Sequence, residues 1–194
     1  MTLHKVFDAA FPPAEAPPGA EGVLIYIGLH GFTPHVWTTG ECLRFQHLRQ
    51  FPVWVPDKRA NPLVDAANAV ATAKRYGWAT HLSPLPIERL LLCDVETSEI
   101  PAWYDTWSRV VDSAGFMPYI YGSLSTVLAN AAYDVWAADW NGIPALIPGE
   151  TIHGDQYKAG ILWEGTRIDL SVVDDSLFNR GGVGPRHRVL VSRR

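Results

Sequence analysis

Leu90-Leu91-Leu92-Cys93-Asp94-Val95-Glu96 is an apolar run that closes on two acids, and the architecture of the chain is read outward from it. In an extended strand side chains alternate between faces, so Asp94 and Glu96 point the same way, with Cα atoms roughly 6.6 Å apart. Two carboxyl groups then share one mouth. There, burial and mutual repulsion raise the pKa of one above that of the other, which is the starting condition for general acid chemistry.

On either side of this run, short β-type segments alternate with helical patterns, which predicts βα units and a mainly parallel sheet or barrel. The strands fall at 5–9, 22–27, 51–55, 89–95, 117–121, 134–138, 151–157 and 167–170. Asn61-Pro62 reads as an N-cap followed by proline at the first helical position, with Gly77 placed to end that helix. Trp103, Trp107, Val110, Val111 and Ala114 repeat on one face of a second helix that stops at Gly115. A third helix begins near Ser123, with Leu124, Val127, Leu128 and Ala131 as its inward stripe. After it, only short polar or Pro/Gly segments separate strands six, seven and eight, so helices are expected to stop while strands continue. The run Pro12-Pro13-Ala14-Glu15-Ala16-Pro17-Pro18-Gly19 is too rich in proline for a helix and reads as a rim loop.

At 194 residues, 47% of them hydrophobic, the chain can bury one sizeable core. A single domain is expected over 1–178, followed by an Arg-rich tail over 179–194 that holds five arginines. The formal net charge of −4 gives no general attraction for nucleic acid or an anionic membrane. Cys42, in a predicted helix, and Cys93, in a strand, read as small buried residues and not as a disulfide framework. No P-loop, dinucleotide fingerprint, paired CxxC or HExxH is present; His30 and His35 are five apart in a loop, a weak ligand pattern, and no cofactor or metal is called for. Nothing approaches the length of a membrane span or a signal peptide, so the chain is expected to be made in the cytoplasm without exporting itself. Eight tryptophans and seven tyrosines are many for this length; rings in excess of core needs often line sugar or ligand clefts, although for any single ring a place in the core is the commoner outcome.

In a βα barrel the carboxyl ends of the strands form one face, where residues distant in sequence meet. Acids occupy several such ends: Asp8, Asp94 with Glu96, Asp139, Asp155 and Asp169. In order and spacing, Phe7-Asp8, Asp94-Val95-Glu96, Tyr119-Ile120-Tyr121-Gly122-Ser123, Trp136-Ala137-Ala138-Asp139-Trp140, Asp155-Gln156-Tyr157 and Ile168-Asp169-Leu170 resemble the landmarks of glycoside hydrolase family 25 lysozymes. They resemble even more closely the related glycoside-hydrolase-like domain of uncertain activity, as do Tyr26-Ile27-Gly28 and Pro52-Val53-Trp54-Val55. The resemblance covers about residues 6–175.

It implies an irregular TIM-like (β/α) barrel of about eight strands, with helices missing after the later ones, and cleavage of the β-1,4 bond between N-acetylmuramic acid and N-acetylglucosamine in peptidoglycan. By motif, Glu96 is the general acid and later base, and Asp94 orients or stabilises the charge that develops at the sugar's acetamido group. Asp8 and Asp169 hydrogen-bond the site and tune Glu96. Tyr121, Trp136 and Trp140 form the sugar platform, with Trp54, Asp139, Gln156 and Tyr157 as further substrate contacts. Two departures stand out: Asp8 is followed by Ala9-Ala10-Phe11-Pro12, where the family carries Val-Ser and an aromatic or Gln-Gly, and strand three ends Trp54-Val55-Pro56 instead of a Tyr-His type. The competing readings are a non-catalytic barrel, a wall-binding or structural module of a phage or secretion particle, and a carboxylate site for Mg²⁺ or Ca²⁺. A wall-cutting domain without a leader is expected to act after lysis or as part of a particle, and a host protein exported by another route fits as well; the tail reads first as a solvated extension and second as a contact for a virion or assembly partner.

Overall fold

A strand stands at each of the eight expected places, and together they close into one barrel in sequence order. The computed structural model describes residues 1–28, 35–57, 59–77, 90–95, 101–129, 133–148 and 151–178. The predicted Arg-rich tail, His30, Arg89, Ala131 and Glu96 lie outside the described residues. The strands are β1 (Leu3–Asp8), β2 (Gly22–Tyr26), β3 (Arg49–Trp54), β4 (Leu90–Asp94), β5 (Met117–Ser123), β6 (Val135–Ala138), β7 (Ile152–Trp163) and β8 (Thr166–Asp174).

Alternation sorts the side chains into two layers. Val6, Leu24, Phe51, Leu92, Tyr119 and Trp136 are buried inside the barrel. The alternate set, including Ile25, Cys93 and Ile120, packs with Ala66, Ala69, Trp107 and Val111 of the helices outside it. Those helices form where local chemistry allows. In α1 (Thr39–Arg44), Thr38 and Glu41 make a reciprocal capping box. In α2 (Pro62–Arg75), the Asn61 side chain accepts from Leu63 N–H and proline opens the first turn. α3 (Pro101–Ser113) buries Tyr104, Trp107 and Val111. α4 (Leu124–Ala129) corrects the expected stripe: Thr126 and Val127 are buried, whereas Leu128 is 54% exposed. Six residues are too few to carry the stripe further around the barrel.

Strands β1 to β7 run parallel, but β8 is antiparallel to both β7 and β1. The β7 and β8 strands are also longer than expected and form one hairpin, turned by Glu164 and Gly165, both at positive φ (47° and 76°). That two-residue turn matches the right-handed twist of its strands. Because β8 runs backward, its first half lies at the carboxyl-end mouth and its last residues reach the opposite floor.

There α5 (Asp175–Phe178) seals the barrel with fully buried Leu177 and with Phe178, whose ring stacks on His4 at 3.8 Å. Two histidines clasp this helix. His4 joins Glu21 (2.9 Å) to Asp175 (3.1 Å), and His153 joins Asp174 (2.9 Å) to Asp134 (3.3 Å), with Ser176 Oγ 3.0 Å from its Nδ1. The Asp134 hydrogen bond is the largest cause raising the His153 pKa, burial opposes it, and Asp174 adds to it. For His4, burial is the largest single effect and lowers the pKa, yet Glu21 and Asp175 outweigh it and the net shift is upward. A raised folded-state pKa contributes stability that is complete below the ordinary value of 6.5 and is lost as pH rises through the folded value. His153→Gln therefore costs about 1–2 kcal/mol at pH 5.5 and clearly less at pH 8.5, measured by urea unfolding. An equal cost at both pH values would show that the clasp is not charged.

Candidate active site

At the carboxyl end of the barrel the inward positions change from apolar to acidic. Asp8 stands two residues above Val6, Asp94 two above Leu92, and Tyr26 two above Leu24, so strand alternation alone aims all three at the axis. Reversal of β8 supplies the next acid, because Asp169 sits directly opposite Asp8 in the β1–β8 register. Asp8 is 3% and Asp94 4% exposed. Like charges on directly opposed residues destabilise a sheet, so this pair needs compensation.

Compensation comes from three directions. Gln156 of β7 donates from Nε2 to Asp8 Oδ2 (3.1 Å) and to Asp169 Oδ2 (2.9 Å). The Tyr26 hydroxyl hydrogen-bonds Asp8. Gly160 N–H donates to Asp169 Oδ1 at 2.6 Å, from a stretch of β7 where the register slips and Gly160 takes φ +70°. Such an irregularity re-aims a backbone N–H toward the site. These bonds do not cancel the cost of burial. Burial first, then the charges of Asp169 and Asp94, holds the Asp8 carboxyl well above the ordinary range against the bonds from Gln156 and Tyr26. Burial likewise raises Asp169, opposed by Gly160 and Gln156. Asp169 has an N–H on each oxygen and is the better-stabilised carboxylate of the pair; Asp8 is the better place for a proton. Tyr121, 4% exposed, is pushed up by burial and by the surrounding Asp8, Tyr26, Asp94 and Asp169, which places it in the same cluster.

The backbone leading out of β4 is held just as closely. Val95 N–H donates to the Tyr121 carbonyl at 2.7 Å, and a Cβ at Gly122 would lie 2.2 Å from the Val95 carbonyl oxygen. Only glycine lets β5 approach here. Val95, just after β4, is the last described residue before Glu96.

Other expected contacts divide sharply. Trp140 is 56% exposed, with its Nε1 donating to Gln156 Oε1 at 2.8 Å, and borders the acids. Trp136 points inward but is fully buried beneath them, edge-on to Phe51 and Tyr121, with Nε1 3.3 Å from Ser171 Oγ. It is a floor without a free face for a sugar. Trp54 faces the other way, out of phase with inward Val53, and donates to Asp65 Oδ2 (2.8 Å) beside Trp107 (3.1 Å). It anchors α2 and α3 and does not reach the mouth. Asp139 is bonded by Asn141 Nδ2, and its charge acts on Asp155. Tyr157 takes the opposite parity to Gln156 and lies 9% exposed, its carbonyl accepting from Gly142. Asp155 is fully buried on the outer side of the barrel, neither oxygen has a well-formed hydrogen bond, and the nearby Asp139 N–H is engaged with the Gln156 carbonyl. Tyr26 and Gly160 join the site in addition to the expected residues; the sequence signal for Tyr26 is its place at the end of a strand, in phase with Leu24. Among the described residues, no set of three His, Cys, Asp or Glu side chains is arranged to hold a metal ion.

No protein-family model and no curated protein sequence matches the chain. Solved structures do. An uncharacterized protein of B. stearothermophilus superposes with a TM-score of 0.69 at 17% identity, over 91% of this chain and 99% of that one. A family 25 glycosyl hydrolase from Bacillus anthracis gives 0.67 at 13% identity, over 92% and 93%. The catalytic domain of the endolysin ply40, from a Listeria monocytogenes bacteriophage, gives 0.67 at 13%, over 93% and 97%. At these identities the shared property is the fold, a closed eight-stranded α/β barrel.

The buried acids set a pH signature. Burial, then the Asp139 charge, pushes Asp155 from 3.8 to about 6, against the Asp139 N–H. The folded state therefore binds this proton more tightly than the unfolded chain, and stability falls as pH rises from the lower value through the upper. Asp155→Asn raises stability at pH 7.5 by about 2–3 kcal/mol, and the gain shrinks toward zero as pH falls to 4, in urea titrations. Asp8→Asn shifts stability with the same sign.

Proposed function

We propose that this chain is a peptidoglycan-cleaving glycoside hydrolase of the muramidase type, with Glu96 as general acid and base and Asp94 assisting. The observation that carries the reading is the meeting of Asp8, Asp94 and Asp169, from β1, β4 and β8, in one buried mouth, with Glu96 two residues after Asp94. The lysozyme-like barrel of the structural neighbours supports it.

In this mechanism a glycan strand lies over the mouth with a sugar face on the exposed Trp140 ring. Glu96 protonates the glycosidic oxygen as the bond to the leaving sugar breaks, and later takes a proton from the attacking water. Asp94 faces the substrate's acetamido group and stabilises the positive charge that develops there when its oxygen attacks the anomeric carbon. The Asp8–Asp169 pair, with its negative charge resting mainly on Asp169, favours retention of a proton by neighbouring carboxyl groups until it is needed. The endolysin likeness fits a wall enzyme released at lysis or carried on a particle.

One feature favours a second reading, the non-catalytic barrel. Asp8 and Asp169 are already engaged by Gln156, Tyr26 and Gly160, as rim carboxylates with a purely structural task would be. Mass spectrometry of reduced fragments released from purified peptidoglycan separates the two. Wild type is expected to release fragments ending in reduced muramic acid, and Glu96→Gln to do so at least about 100-fold more slowly while remaining folded. Absence of release from every wall type tested, with retained wall binding, would establish the second reading.

A further inference from the structure

Gln156 makes contacts in three directions that are chemically interdependent. Its Nε2 donates to Asp8 Oδ2 and Asp169 Oδ2, its Oε1 accepts from Trp140 Nε1, and its backbone carbonyl accepts from both Asp139 N–H (3.2 Å) and Trp140 N–H (3.1 Å). An amide can be turned end for end within the same volume. Turned, Gln156 would set an oxygen against two carboxyl oxygens and an NH₂ against an indole N–H. An indole nitrogen can only donate, so Trp140 selects the orientation in which both amide hydrogens face the acids.

Trp140 also has a strained backbone. It takes φ +50°, a left-handed conformation that costs a bulky residue about 1–2 kcal/mol. The strain holds the ring 56% exposed at the rim while turning its N–H inward to a 2%-exposed glutamine. Packing alone gives no reason to keep a tryptophan there, since much of its apolar face meets solvent.

We propose that Trp140 and Gln156 act as positioning residues, linking the exposed ring on which a sugar would stack to the placement of the proton within the Asp8–Asp169 pair. The glycan part rests on the function proposed above; the link between ring, amide and acids stands apart from it. The other groups facing Asp8 are Asp94 from β4, Tyr26 from β2 and Tyr121 from β5. A ligand seated on the ring pulls or presses the indole N–H, the amide follows, and the two carboxyl groups lose or gain N–H donors together.

The test is a carboxyl-carbon NMR titration of Asp8 and Asp169 in wild type, Gln156→Met and Trp140→Phe, with and without chitotetraose. Loss of both amide donors in Gln156→Met should raise the Asp8 midpoint by at least about 0.5 unit. Trp140→Phe keeps a ring but frees the amide to turn, and should raise the midpoint in the same direction by a smaller amount. Should the buried Gln156 variant fail to fold, Trp140→Phe, at an exposed position, still decides. Midpoints in Trp140→Phe within about 0.2 unit of wild type would overturn the proposal. Chitotetraose is expected to shift Asp8 in wild type and not in Trp140→Ala. Shifted variant titrations without any chitotetraose binding would leave the positioning role standing and count against the glycan reading. Binding with titrations unmoved by either variant would do the reverse.

Discussion

The interaction on which the mouth depends is the forced opposition of Asp8 and Asp169. Two carboxyl groups face each other across neighbouring strands, above a barrel interior packed mainly with apolar and aromatic side chains, and cannot both be comfortably ionised. Everything around them responds to that cost. Gln156 lends both amide hydrogens, Tyr26 a hydroxyl, and a slipped stretch of β7 turns Gly160 N–H inward. A fold optimised for stability alone would place leucine at one of the two positions. Retaining both acids costs stability, a cost that proteins commonly bear at functional sites.

The opposition follows from topology. With all eight strands parallel, only carboxyl ends would reach the mouth, and Asp169, midway along β8, would lie deep in the wall. Reversing β8 brings its first half to the mouth and lays it antiparallel against β1. The same reversal carries the chain down to the floor, where α5 closes the barrel under two histidine clasps. Mouth and plug are therefore two ends of one strand.

Strand and helix positions were legible because each has a local cause: apolar runs of strand length, the Asn61-Pro62 start, the repeat from Trp103 to Ala114. The direction of β8 was not, since alternation reads the same forward and backward, and Glu164-Gly165 is a weak hairpin signal. Acids at strand ends were legible as a set, and Asp8, Asp94 and Asp169 do converge. The aromatic residues were harder to read. Trp54 lies between apolar neighbours in a strand buried on both faces, so its parity cannot be read from pattern. Trp136 has the right parity at the wrong depth, and depth depends on register between strands far apart in sequence. Gln156 looked like one contact among several; its central place needs three strands and a loop to be seen together.

The sealed floor has a kinetic side. Leu177, Phe178, Phe51 and Trp136 fill the barrel beneath the acids, so the carboxyl groups sit at the bottom of a blind well. Among the described residues, these packed side chains close the way from the floor, so protons and water approach from the mouth. Whatever lies across the mouth therefore also controls how quickly these groups equilibrate with the bulk, and a bound chain can hold them in the protonation state they had when it arrived.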